Sequence, residues 1–96
     1  MIVVFGSYTA PVEELDRHRE RHLGFVRGLV DEGRLLAAGR REAGDGSVLL
    51  FAGNDPEDAL ALLGEDPYAL AGLVEYEAIA VFTPGAVAPG LDGLTA

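Results

Sequence analysis

The order of apolar and turn-forming segments predicts an α+β fold, β-α-β-β-α-β, with an antiparallel sheet and both helices on one face. Three observations carry this. Four short runs are rich in β-branched, aromatic and aliphatic residues, at 2–8, 34–42, 48–53 and 74–82. Between the first and second, and again between the third and fourth, lie longer segments opened by proline and spaced like amphipathic helices. The second and third strands are separated only by "AGDGS", a tight-turn sequence that makes them a hairpin. At 96 residues the chain is one domain with a single modest core.

Residues 2–8, "IVVFGSY", read as the first strand. In "TAPVEEL", Thr9 is a candidate cap, Pro11 suits a first helical turn, and Glu13 and Glu14 suit the positive end of a helix dipole. The spacing predicts one helix over about 11–32, stopped by Gly33 in a left-handed conformation. The hairpin follows. "NDPEDALALLG" is a second helix, capped by Asn54 or Asp55, opened by Pro56 and closed by Gly64. "EDPYALAGL" adds a short turn, with Asp66 as cap and Pro67 after it. "VEYEAIAVF" is the last strand. Residues 1–83 are therefore the folded domain in a split, ferredoxin-like arrangement, and 84–96 form a Pro/Gly-rich tail expected to be mobile unless it packs on a partner.

Composition narrows the functional classes. Apolar residues make up 49% of the chain, as in a globular protein. No apolar run reaches the roughly 18 residues of a membrane span, and the first residues carry no basic leader, so the expected location is cytoplasmic. Without cysteine there is no thiolate chemistry, and without lysine no Schiff base on a lysine side chain. The net charge of −9 argues against nucleic acid and anionic membrane surfaces as partners. A small anionic ligand fits if arginines converge on one pocket.

The strands are apolar at both parities: Val48 and Leu50 against Leu49 and Phe51, Tyr76 and Ala78 against Ile79 and Val81. A sheet with one wet face should alternate. Two helices cover one face, so a second copy of the chain is expected on the other, as an isologous homodimer.

Residues 15–26, "LDRHRERHLGFV", hold both histidines, His18 and His22, with Arg17, Arg19 and Arg21. At ~100° per residue, His22 falls in the apolar arc of Leu15, Val26, Leu29 and Val30, with Arg19 inside it and His18 at its edge beside Phe25. Arg17 and Arg21 fall opposite, as solvated charges able to pair with Glu13 and other acids. His22 is either a core histidine bonded to a backbone carbonyl or an imidazole lining a cavity between helix and sheet. The i, i+4 spacing of His18 and His22 suits a metal, but nothing else completes a ligand set, and no metal is expected.

These pieces resemble the YciI-like (YCII-related) proteins, a family of the dimeric α+β barrel type. "RERHLGFVRGLVDEGRLLAAG" is similar to the family's R-x-x-H stretch, and "DPEDALALLGEDPYALAGL" to its alanine-rich helix followed by D-P-[YF]. The resemblance implies a His–Asp pair in a pocket between helix and sheet, here His22 and Asp66, with Arg19 as the arginine of R-x-x-H. Family members often have Gly-Pro where this chain has Gly39 and Arg40, followed by Arg41, which brings extra positive charge to the end of the second strand. The better-understood relatives suggest lyase or dehalogenase chemistry, such as loss of HCl from chlorinated hydroxyaromatic breakdown products; similar dimeric barrels isomerise muconolactones.

An imidazole beside a carboxylate suits proton abstraction next to a carbonyl, hence isomerisation or elimination. Ser7 and Ser47 sit in no nucleophile-elbow setting, and no cofactor fingerprint is present. Arg19 and Arg40 could hold a carboxylate, and Tyr8 could line the pocket or simply pack. Asp66 is equally well explained as a helix cap, and Gly39 as a bend in the strand. The reading that follows is a cofactor-free lyase or isomerase with His22 as acid/base, Asp66 orienting it and Arg19 binding an anion. A non-catalytic binding or sensor dimer, and a partner domain with a purely structural histidine, are the alternatives.

Overall fold

The computed structural model describes residues 1–91. Its elements are β1 (Ile2–Tyr8), α1 (Val12–Asp16), α2 (Arg19–Asp31), β2 (Leu35–Arg40), β3 (Gly46–Phe51), α3 (Pro56–Leu63), α4 (Pro67–Leu70) and β4 (Val74–Val81). The sheet order is β2-β3-β1-β4, with every neighbouring pair antiparallel. This is the split βαβ arrangement expected from the order of elements. Residues 84–91 form no helix or strand, and the last part of the expected tail, 92–96, lies outside the described residues. No helix among the described residues is long and apolar enough to cross a membrane.

The local signals account for most element ends. Asp55 caps α3, its side chain accepting from the backbone N–H of Glu57 and Asp58, and Pro56 opens the helix. Past the end of α2, Gly33 takes φ +75°, its N–H bonding the Val30 carbonyl while the Arg34 N–H bonds that of Leu29. That is a Schellman stop, which requires the left-handed conformation glycine tolerates.

The first helical segment differs from expectation. It is two helices, not one, interrupted at Arg17 and His18, where His18 has φ −110° and ψ 1°. Thr9 caps neither: its hydroxyl donates to the Gly72 carbonyl, and Pro11 stands at the N-cap with no side-chain bond. The break follows from packing. Leu15 is buried in a cluster with Tyr68, Leu73 and Val74, whereas α2 lays Phe25, Val26 and Leu29 on a different cluster built from Ile2, Val4, Leu35, Leu49, Phe51, Ala59 and Leu63. A single straight helix would have to serve both with one stripe. The interruption also shifts the phase of the apolar arc, so Val30 is exposed instead of packed.

The second face of the sheet is open in the single chain. Register places Val3 opposite Leu50 and Ala80, and Phe5 opposite Val48 and Glu77, all turned away from the helices. Between Val3 and Val4 the pairing with β4 shifts by one residue at Ile79. That bulge moves Ala80 to the open side while Tyr76 and Ala78 stay beneath the helices. Part of the mixed polarity of the last strand therefore has a local cause. The remainder is an apolar patch in which Val48 is 38% exposed.

Candidate functional site

α4 is one turn long, and its N-cap Asp66 is wholly buried. A carboxylate there needs donors for both oxygens, and three converge on it. Oδ1 accepts from His22 Nδ1 at 2.7 Å and from the Tyr68 backbone N–H at 3.3 Å. Oδ2 accepts from the Tyr76 hydroxyl at 2.5 Å. Asp66 is thus a helix cap and a histidine partner at once, so the two readings of this residue do not compete.

His22 comes from the first turn of α2, and its side chain is 19% exposed. Its ring lies flat on that of Tyr68, centroids 3.9 Å apart and planes 8° from parallel. With Nδ1 donating to the carboxylate, the tautomer is set and Nε2 is the nitrogen left for a ligand. The backbone-carbonyl partner considered for a core histidine is not the one found.

His22 lines a cavity of about 220 Å³ together with Tyr8, Arg19, Leu23, Gly39, Arg40 and Tyr68. The sequence-derived candidates Tyr8, Arg19, His22, Gly39 and Arg40 are therefore brought together on one pocket, with Asp66 behind its wall. β1 supplies Tyr8, α2 supplies Arg19 and His22, β2 supplies Gly39 and Arg40, and α4 supplies Tyr68. Arg40 Nε donates to the Tyr8 hydroxyl at 3.3 Å, and its guanidinium carbon stands 5.5 Å from the Tyr8 ring centre. That bond holds the Arg40 pKa above its ordinary value, against the opposing effect of burial. Arg17, Arg34 and Arg41 each pair with a carboxylate. Arg19 and Arg40 form no such pair among the described residues. In an acidic chain, that leaves two cations at the pocket mouth for an anion.

His18 goes elsewhere. Its Nδ1 accepts from Arg21 Nη2 at 2.6 Å, and the ring does not line this cavity. Arg21 thus pairs with His18 instead of an acid, while Arg17 meets Glu14 at 3.5 Å. The two histidines serve different partners.

Sequence reasoning missed Tyr68 and Tyr76. Tyr68 was visible as the aromatic of D-P-Y. Tyr76 had no motif, only its place in an alternating strand. Burial first, then its bond to Asp66, holds the Tyr76 phenol well above the usual tyrosine range; burial also raises Tyr68. The folded state keeps protons that the unfolded chain releases near pH ~10. Their stabilisation is therefore complete below about pH 10 and lost as pH rises above it, for Tyr76 by about 1.4 kcal/mol per pH unit. Urea midpoints should fall more steeply with pH above about 10 in the native protein than in Tyr76→Phe. Equal slopes would show that Tyr76 titrates as in the unfolded chain.

The chain is thus a split βαβ, α+β domain with a buried carboxylate behind a pocket imidazole and two arginines lining the same pocket. The YCII-related domain family matches residues 1–83, and the chain belongs to it. Among solved structures it is similar to 5-chloro-2-hydroxyhydroquinone dehydrochlorinase from Burkholderia phenoliruptrix, in complex with 2,5-dihydroxybenzoquinone. The TM-score is 0.60 at 18% identity, covering 80% of this chain and 91% of that one. At that identity the likeness is one of fold. No curated protein matches the chain.

Proposed function

We propose that this chain is a small cofactor-free enzyme of lyase or isomerase type, acting on a small anionic, unsaturated substrate. The observation that carries the reading is the His22–Asp66 bond behind a pocket whose two arginines have no carboxylate partner among the described residues. His22 Nε2 takes a proton from a carbon next to a carbonyl; Asp66 holds the ring and stabilises the positive charge it acquires. In an elimination the electron pair of the broken C–H bond forms the new double bond and expels the leaving group as an anion. In an isomerisation His22 returns the proton to a different carbon. Arg19 and Arg40 hold the substrate's carboxylate or oxyanion, and Tyr8 and Tyr68 face its flat part. Support for elimination comes from the named activity of the dehydrochlorinase with the similar fold. The working unit is a homodimer closed through the open sheet faces, and the location is cytoplasmic.

The test is a panel of unsaturated carboxylic acids and halogenated hydroxyaromatics in D₂O, followed by NMR for product and for deuterium entering the substrate. Native protein should exchange or convert at least one class, and His22→Ala should lose about 10²–10⁴ of that rate while still binding. A ligand held tightly by native protein with neither exchange nor conversion would establish the binding-dimer reading instead.

A further inference from the structure

Tyr76 does not line the pocket, yet its hydroxyl ends on the carboxylate that holds His22. We propose that Tyr76 is a positioning residue, its hydroxyl fixing Asp66 in the orientation that holds His22, and that Gly6 exists to admit its ring. The inference rests on the reading of His22 as the proton carrier.

A carboxylate turns easily about its last torsion, which is broad and two-fold. Both donors on Oδ1, His22 and the Tyr68 N–H, grip the same oxygen, and the second is long at 3.3 Å. One gripped oxygen leaves the group free to swivel; holding Oδ2 as well removes that freedom. Tyr76 is the donor on Oδ2. Its raised pKa keeps it a phenol, and so a donor, through the range in which imidazoles change charge.

Gly6 is the independent observation. It is buried in mid-strand directly opposite Tyr76. Its φ is not positive, so the backbone does not demand glycine, and glycine weakens a strand interior. Space does demand it. A Cβ on Gly6 would stand 2.8 Å from Tyr76 Cε1 and 2.6 Å from Ser47 Oγ. The phenol ring occupies the volume that a side chain at position 6 would take, and from there its hydroxyl reaches across to Asp66. The ring also packs against both apolar clusters. A filling role alone would be met as well by phenylalanine, which makes the hydroxyl the group to remove.

The experiment reads the His22 imidazole by ¹H–¹⁵N NMR in the ligand-free protein, with His18→Gln for assignment, so it needs no substrate. In the native protein the proton should sit on Nδ1, protected from exchange with water. In Tyr76→Phe that proton should exchange at least about tenfold faster and shift in part to Nε2, while the core amides keep their protection. Gly6→Ala keeps the hydroxyl but displaces the ring; it should give the same change, with the double variant no worse than either. Should Tyr76→Phe fail to fold, 3-fluorotyrosine at position 76 keeps the ring and makes a more acidic donor, and the Nδ1 proton resonance should move. His22 signals unchanged in Tyr76→Phe, or unmoved by fluorination, while Asp66→Asn alters them, would overturn the inference and leave the proposed function standing. Signals that ignore Asp66→Asn as well would overturn both.

Discussion

Asp66→Ala should lower stability by about 3 kcal/mol or more and abolish turnover, whereas Asp66→Asn should keep most of the stability and still lose activity about 10²-fold. Alanine removes a helix cap, worth about 0.5–2 kcal/mol. It also strands the Tyr76 hydroxyl and the His22 N–H, each buried donor costing about 1–3 kcal/mol when unpaired. These costs overlap, so the lower end of their sum is the sensible expectation. Asparagine has nearly the same shape. Its amide oxygen can accept from His22 and the Tyr68 N–H, while its NH₂ group meets the Tyr76 oxygen, which turns from donor to acceptor. What asparagine lacks is the negative charge that favours a protonated imidazole. Urea unfolding of the three proteins, beside turnover of whatever substrate the deuterium screen identifies, separates the two roles. Equal instability of the two variants would mean the charge itself holds the fold. A mild Asp66→Ala would mean the buried cluster is not a unit.

How far such a site is legible in the sequence depends on whether each residue leaves a local trace. Asp66 does, because a cap before proline is a short-range pattern, and the structure finds both cap and proline in place. His22 does, because an imidazole in an apolar arc needs a reason. Arg19, Gly39 and Arg40 were named from their positions in a motif and its departure, and all three line the cavity. Tyr76 leaves no such trace. It meets Asp66 through the sheet's register, and an aromatic in a strand is unremarkable until Gly6 is seen opposite it. The interrupted first helix was hidden for a related reason. Nothing in "LDRHRER" is a helix breaker; the break comes from two clusters pulling Leu15 and Leu29 in different directions, and that competition exists only in three dimensions. The strands and their order were the easiest part, because alternation, turns and caps each act over a few residues.

Val48→Glu should leave the chain folded and reduce its mass in sedimentation equilibrium from that of a dimer to that of a monomer at micromolar concentration. Val48 sits on the open face beside Phe5, and at 38% exposure it has room in the single chain for a larger polar side chain. Against a second sheet that room disappears. An uncompensated charge buried at an interface costs on the order of 3–5 kcal/mol. An isologous contact repeats every substitution, so each dimer carries the cost twice. The sum exceeds 1.4 kcal/mol several times over, hence a loss of association of at least ~10³-fold. Arg41, whose guanidinium carbon lies 5.7 Å from the ring centre of Phe5, the cross-strand partner of Val48, is a cation in a position to relieve the charge. Its existing partner, Asp45 at 3.5 Å, competes for it. Arg41→Ala in the Val48→Glu background should therefore weaken association further. Circular dichroism of the single variant guards against the trivial outcome of unfolding. If native protein already sediments as a monomer, the apolar face belongs to some other partner. If Val48→Glu stays a dimer, the copies meet through a different surface, and the paired apolar parities of β1 and β3 need another explanation.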